Sequence, residues 1–162
     1  MEIRKATLKD IHEIMLVFEH ARLFMQQNGN PSQWINGYPE ETLIRTEIED
    51  GYCYICKQQK EIVGTFCLHT NPDPTYTHIY EGKWLNDEPY GVIHRLASNG
   101  AYRGFAEKCI AWCSERVTNL RIDTHRENKI MQHILTKLGF LYCGTIFIKN
   151  GTERLAFQRK IK

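Results

Sequence analysis

The chemistry this chain could perform concentrates between residues 92 and 128. Val92 to Ser98 (Val-Ile-His94-Arg-Leu96-Ala97-Ser) reads as a strand. Asn-Gly-Ala101-Tyr102-Arg103-Gly104 then forms a turn ahead of a helix-like run, 105–117. Backbone N–H groups at a helix start lack intrahelical partners, and the helix dipole is positive there, so such a turn can hold a pyrophosphate. Gly104 lets the main chain approach closely, and Ala106 keeps the helix start uncluttered. The amides of Tyr102, Arg103, Gly104, Phe105 and Ala106 are the candidate donors, and Arg103 can add a charge-assisted contact. We read the turn as a nucleotide-cofactor cradle.

Two histidines flank it. His94 lies within the preceding strand, and His125 follows the next strand-like run, 120–124. Imidazole titrates in the range a general base needs, although each histidine also fits a structural role. Asn128, at the start of the following helical run, fits a helix cap. Trp34 and Tyr38 in the loop 33–39, with Tyr76, Tyr80 and Trp84 further on, suit the rim of a substrate pocket or the plugging of loops onto a core.

These residues need a scaffold, and the chain supplies one. Its 162 residues suffice for one domain, 1–162, with a core of its own. The formal charge of +2 offers no polyanion-binding surface, so nucleic acid is not an expected partner, and the terminal Arg159-Lys160-Ile161-Lys162 reads as a solvated tail. No apolar run is long enough for a membrane helix, and Met1 to Lys5 leads into no signal segment. Six cysteines sit inside strand-like or helix-like runs, which suggests a reducing cytoplasm. Cys53 and Cys56 have Cys-x-x-Cys spacing, but in a strand they face opposite ways, so no metal site is expected.

Taken in order, 2–6 is a short strand, and Thr7 with Asp10 fits a capping box. Ile11, Ile14, Met15, Phe18, Ala21 and Met25 recur at helical spacing to about Gln27. A second helix is predicted from Pro39 to Asp50, then a hairpin of 52–58 and 61–69. A short strand is expected at 75–80 and another at 90–97. Helices at 105–117 and from Asn128 to Gly139 bracket the strand 120–124. Two last strands, 140–149 and 154–161, meet at Asn150-Gly151, a strong hairpin signal. The class is α/β (α+β), with a mixed central sheet of about seven strands and about four helices.

This order resembles the GCN5-related N-acetyltransferase (GNAT) superfamily. Its cofactor motif, Arg/Gln-x-x-Gly-x-Gly/Ala, falls on Ala101-Tyr-Arg-Gly104-Phe-Ala106, with Ala101 in place of the leading Arg/Gln. Asn128 and the helix ending Leu-Gly-Phe (138–140) supply the second signature. The resemblance implies acetyl-CoA as co-substrate, no metal, and acetyl transfer to an amine by direct attack through a tetrahedral intermediate. It implies that Leu96 and Ala97 pair with the pantetheine arm as an added strand between splayed strands, and that Asn128 bonds the same arm. The family often supplies an acid as a Tyr four residues before the Gly-Phe pair, but here that position is Leu135. Tyr142, just beyond, is a substitute candidate, with His94 and His125 as candidate bases. The expected acceptor is a primary amine of a small molecule, served by a monomer or homodimer. The departures at Ala101 and Leu135 leave an alternative, a non-catalytic acyl-CoA-binding sensor or scaffold.

Overall fold

Strands form in this chain where β-branched, aromatic and cysteine side chains alternate between two covered faces. In the computed structural model, which describes residues 1–162, seven strands join one sheet. They are β1 (Glu2–Lys5), β2 (Cys53–Gln58), β3 (Glu61–His69), β4 (Gly91–Ser98), β5 (Asn119–Thr124), β6 (Leu141–Phe147) and β7 (Glu153–Lys160). Their order is β1-β2-β3-β4-β5-β7-β6, antiparallel everywhere except between β4 and β5.

Four helices cover the two faces: α1 (Ile11–Gln27), α2 (Glu41–Glu49), α3 (Phe105–Ser114) and α4 (Lys129–Lys137). On one face Ile14 and Phe18 of α1 and Ile44 of α2 pack with Ile55 and Cys67. On the other, Phe105, Cys109 and Ile110 of α3 and Leu135 of α4 pack with Phe66, Ile93, Leu120 and Phe157. Cys53 belongs to the first cluster and Cys56 to the second, as period-two alternation requires. All six thiols are free and buried.

Two irregularities shape the centre. The parallel pair β4–β5 is in register only at Gly91–Leu120 and Val92–Arg121, and beyond that the strands part. Against β3, His94 pairs with Cys67 and Ala97 with Thr65, so β4 carries one extra residue, a β-bulge. Arg95, within that bulge, has φ +54°, a left-handed conformation that side chains with a Cβ disfavour.

Several predicted boundaries shift, and one predicted strand is replaced. The second helix starts at Glu41 rather than Pro39, and the third ends at Ser114 rather than Val117. The strand expected at 75–80 is instead a 3-10 turn, Pro74–Tyr76, followed by one isolated bridge from Tyr80 to Thr145. The cause is local: Asp73 accepts a hydrogen bond from the Thr75 N–H at 2.9 Å, and the flanking prolines have no N–H to give a ladder.

Candidate active site

The turn before α3 is built to leave amides free. Ser98 Oγ accepts from the Gly100 N–H and Asn99 Oδ1 from the Ala101 N–H, both at 3.0 Å, which fixes the loop from beneath. Gly104, the residue before α3, has φ +73°, and the first helical bond is Lys108 N–H to Gly104 O. The amides of Tyr102, Arg103, Gly104, Phe105 and Ala106 have no protein acceptor. A run of free donors at a helix start is able to hold an anion. Ala101 contributes differently from the residues after it, because its own amide is already bonded.

Beside this cradle a cleft of about 240 Å³ opens between the end of β4 and α1, α3 and α4. Leu96, Ala97, Phe105, Ala106, Asn128 and Met131 are among its walls. Asn128 caps α4, its Oδ1 accepting from the Met131 N–H at 3.1 Å, while its Nδ2 donates to Gln33 Oε1 at 2.9 Å. The same Gln33 oxygen accepts from Asn30 at 2.9 Å and from Thr124 at 3.4 Å. Gln33 thereby ties the loop after α1 to the end of β5. Nothing in a glutamine followed by a tryptophan foretells that.

On the α1–α2 face, at the splay, lies a well of paired charges. His94 Nε2 meets Asp73 Oδ2 at 2.9 Å, and His69 Nε2 meets Glu47 Oε2 at 2.5 Å. The two rings stand edge to face with centroids 5.4 Å apart, and Tyr52 stacks on His69. Arg95 Nε donates to Tyr38 Oη at 2.9 Å, and its Nη1 faces Glu47 Oε1 at 3.4 Å. Burial pushes the carboxyl of Glu47 up, but the His69 hydrogen bond and the Arg95 charge outweigh it and hold Glu47 below the usual carboxylate range. Burial opposes ionisation of Asp73 in the same way, and His94 overrides it, so Asp73 is also held low. With an ionised Asp73 accepting at Nε2, the neutral His94 tautomer keeps its lone pair on Nδ1. Sequence reading missed Glu47, His69, Asp73 and Arg95, which come from three separate elements and one loop. Only Asp73, between two prolines, carried a local signal, and it was one for a turn.

His125 is placed differently. Its Nδ1 accepts from the Glu127 N–H at 3.0 Å, so the neutral ring carries its proton on Nε2 and offers a donor rather than a base. Burial, then the nearby Arg154, lowers its pKa from the ordinary histidine value, which favours that neutral form. The expected aromatic rim divides. Trp34 and Tyr38 stand edge to face at 6.2 Å beside Arg95. Tyr76 and Trp84 stack at 5.3 Å, with Tyr76 Oη donating to Asp123 at 2.6 Å and Trp84 Nε1 to Tyr76 O. Tyr76 is buried and its ring stands edge to face with His94 at 6.2 Å, whereas Tyr80 packs on Phe147 at the sheet edge.

The acetyltransferase (GNAT) family model matches residues 17–140. A GNAT-family acetyltransferase from Streptococcus agalactiae superposes with a TM-score of 0.90 at 34% identity, over 99% of this chain and 95% of that one. The chain belongs to the GNAT acetyltransferase family. A GNAT acetyltransferase from Listeria monocytogenes shares the fold (TM-score 0.73, 19% identity, 99% and 94% covered). So does the ribosomal-protein-alanine N-acetyltransferase of Brucella melitensis (0.61, 17%, 99% and 100%). No curated protein matches the chain.

At the GNAT position for an acidic tyrosine, Leu135 is fully buried in the α3–α4 core. Tyr142 sits on a different element. It lies on the outermost strand, 53% exposed, with β7 between it and β5, because the sheet order carries β6 past β7. No helix is long and apolar enough to cross a membrane.

Proposed function

We propose that this GNAT protein transfers the acetyl group of acetyl-CoA to the primary amine of a small molecule. The observation that carries the reading is the set of unengaged amides from Tyr102 to Ala106, opening onto a cleft that leads to the β4–β5 splay. Those amides suit a pyrophosphate, and the cleft wall at Leu96 and Ala97 suits the amide-bearing arm that follows it. Asn128 keeps a second Nδ2 hydrogen for the same arm.

An alkyl ammonium has a reference pKa of about 10.4, so only roughly one molecule in 10³ is neutral at pH 7 and a proton must be removed. His94, oriented by Asp73, takes that proton on Nδ1. The neutral amine attacks the thioester carbonyl, and the oxyanion forms beside the main chain around Leu96, where the bulge interrupts the β3 ladder. Collapse breaks the C–S bond and expels a thiolate, which takes up the proton that the attacking nitrogen sheds, leaving a neutral amide and a thiol. A thiol pKa of about 8.5 lets the thiolate leave with little acid assistance, which is compatible with a buried leucine at residue 135. Tyr38, backed by Trp34, which is buried in the α1–α2 core, forms the acceptor's aromatic wall. The fold acts as one unit over 1–162, in a reducing compartment such as the cytoplasm, where six free thiols stay reduced.

Thiol release from acetyl-CoA across a panel of primary amines tests the reading. Amine-dependent release with one N-acetyl product per thiol is expected. Tight acetyl-CoA binding without release for every amine would instead favour a sensor.

A further inference from the structure

Arg95 is the most constrained residue of the well. In a regular strand it would face away from His94. The bulge and its left-handed backbone bring both side chains to the same face, where Arg95 meets Tyr38 and Glu47, and His94 meets Asp73 and His69. Strain kept beside a reaction centre is a functional signal.

The guanidinium is also under-used. Its side chain is only 14% exposed, yet of its five N–H donors just Nε–H makes a hydrogen bond, to Tyr38 Oη. Nη1 is shut off from water with no hydrogen-bond acceptor, since the Glu47 oxygen lies at ion-pair range, 3.4 Å, and the other Glu47 oxygen belongs to His69. Arg154, also buried, is better served. Arg154 donates from Nη1 to Glu153 O and from Nη2 to Gln33 O. Arg121 also has a buried Nε without an acceptor, but its guanidinium lies between the Trp84 and Tyr90 rings and donates to Asn86 O. Buried donors without acceptors are costly and rare. At this position they await an oxygen that a ligand brings.

We propose that Arg95 binds a carboxylate or carbonyl oxygen close to the acceptor's amine, so that the preferred substrates are amino acids and their amides. The inference rests on the acetyl-transfer reading above and names its substrate class. Arg95 follows His94, the base, and precedes Leu96, the thioester station, and its guanidinium shares the well with His94 through Glu47 and His69. A polyamine carries no such oxygen and leaves the Arg95 Nη1 donors unpaired.

The test compares matched pairs, glycinamide with ethylamine and alanine with isopropylamine, plus spermidine, with rates normalised to the neutral amine fraction. The oxygen-bearing member of each pair is expected to have kcat/KM at least about ten-fold higher, mostly through KM. Arg95→Gln is expected to bring that ratio to within about two-fold while calorimetric affinity for acetyl-CoA stays the same. Equal kcat/KM within the pairs for the wild type overturns the proposal, as does a ratio that survives Arg95→Gln. Should Arg95→Gln fail to fold, Tyr38→Phe, which frees the guanidinium from its clamp, is expected to lower the ratio about three-fold, and an unchanged ratio counts against it. Turnover without preference removes only this inference. Absence of turnover for every amine removes the transfer reading together with it.

Discussion

At the scale of single residues, the assignment of a base turns on which ring nitrogen is occupied. His94 and His125 looked equivalent as sequence, each beside the splay. In the structure Asp73 takes the Nε2 side of His94, whereas a backbone amide takes the Nδ1 of His125. His94→Gln is therefore expected to lower kcat/KM by roughly 10²-fold or more with acetyl-CoA affinity unmoved, measured by thiol release and calorimetry. Asp73 acts through His94, so Asp73→Asn should lower kcat with little change in KM for either substrate. Tyr142→Phe, out on the edge strand, should leave kcat within about two-fold of wild type. A loss as large as that of His94→Gln would reinstate the tyrosine as a catalytic group.

At the scale of elements, the site depends on how closely α3 can sit on the sheet. Gly64 of β3 makes room for the ring of Phe105, the first residue of α3. A Cβ on Gly64 would lie 2.1 Å from that ring and 2.7 Å from the carbonyl oxygen of Ala97. Gly64→Ala should thus displace the cradle and the end of β4 together, costing about 1–3 kcal/mol of stability by denaturant titration and weakening acetyl-CoA binding. Restoring the family tyrosine at position 135 should not help. That side chain lies in a filled core, so Leu135→Tyr is expected to cost about 1–3 kcal/mol without raising kcat.

The same scale shows what one sequence can reveal. Helical spacing from Ile11 to Met25, the Asn150-Gly151 hairpin and the glycine turn at Gly104 were legible because each is written within a few neighbouring residues. The bulge at Arg95 was not, since it is defined by register against β3, and His94-Arg95 reads as ordinary alternation. Nor was the well, whose charges come from α2, β3, β4 and the loop after β3. The loop at 75–80 was misread because its aromatics resemble strand residues, whereas Asp73 and its flanking prolines decide the local geometry.

At the scale of the whole molecule, folding places ionised carboxylates where they are needed. The hydrogen bond from Arg4, with further support from Thr7, holds Asp10 below the usual carboxylate range against the penalty of burial. Glu47 and Asp73 are held low as well. A group whose folded pKa is depressed adds stability that is present above its unfolded value of about 4 and is lost as pH falls through the folded value. Stability should therefore change little between about pH 7 and pH 5 on account of these groups, then fall steadily below about pH 4. Urea titrations across that range check it. Asp10→Asn should shrink the fall, because one of the groups responsible no longer titrates.

The most direct measurement is a calorimetric titration of acetyl-CoA into the wild-type chain and into Gly104→Glu. Residue 104 has φ +73° and only Glu107 Oε2, at 3.9 Å, near the place of a Cβ, so the glutamate adds strain and negative charge to the cradle without a core clash. One equivalent should bind the wild type, and binding to a folded variant should be lost. Wild-type protein that takes up no acetyl-CoA, or a variant that binds it with unchanged affinity, would contradict the assignment of these amides to a pyrophosphate.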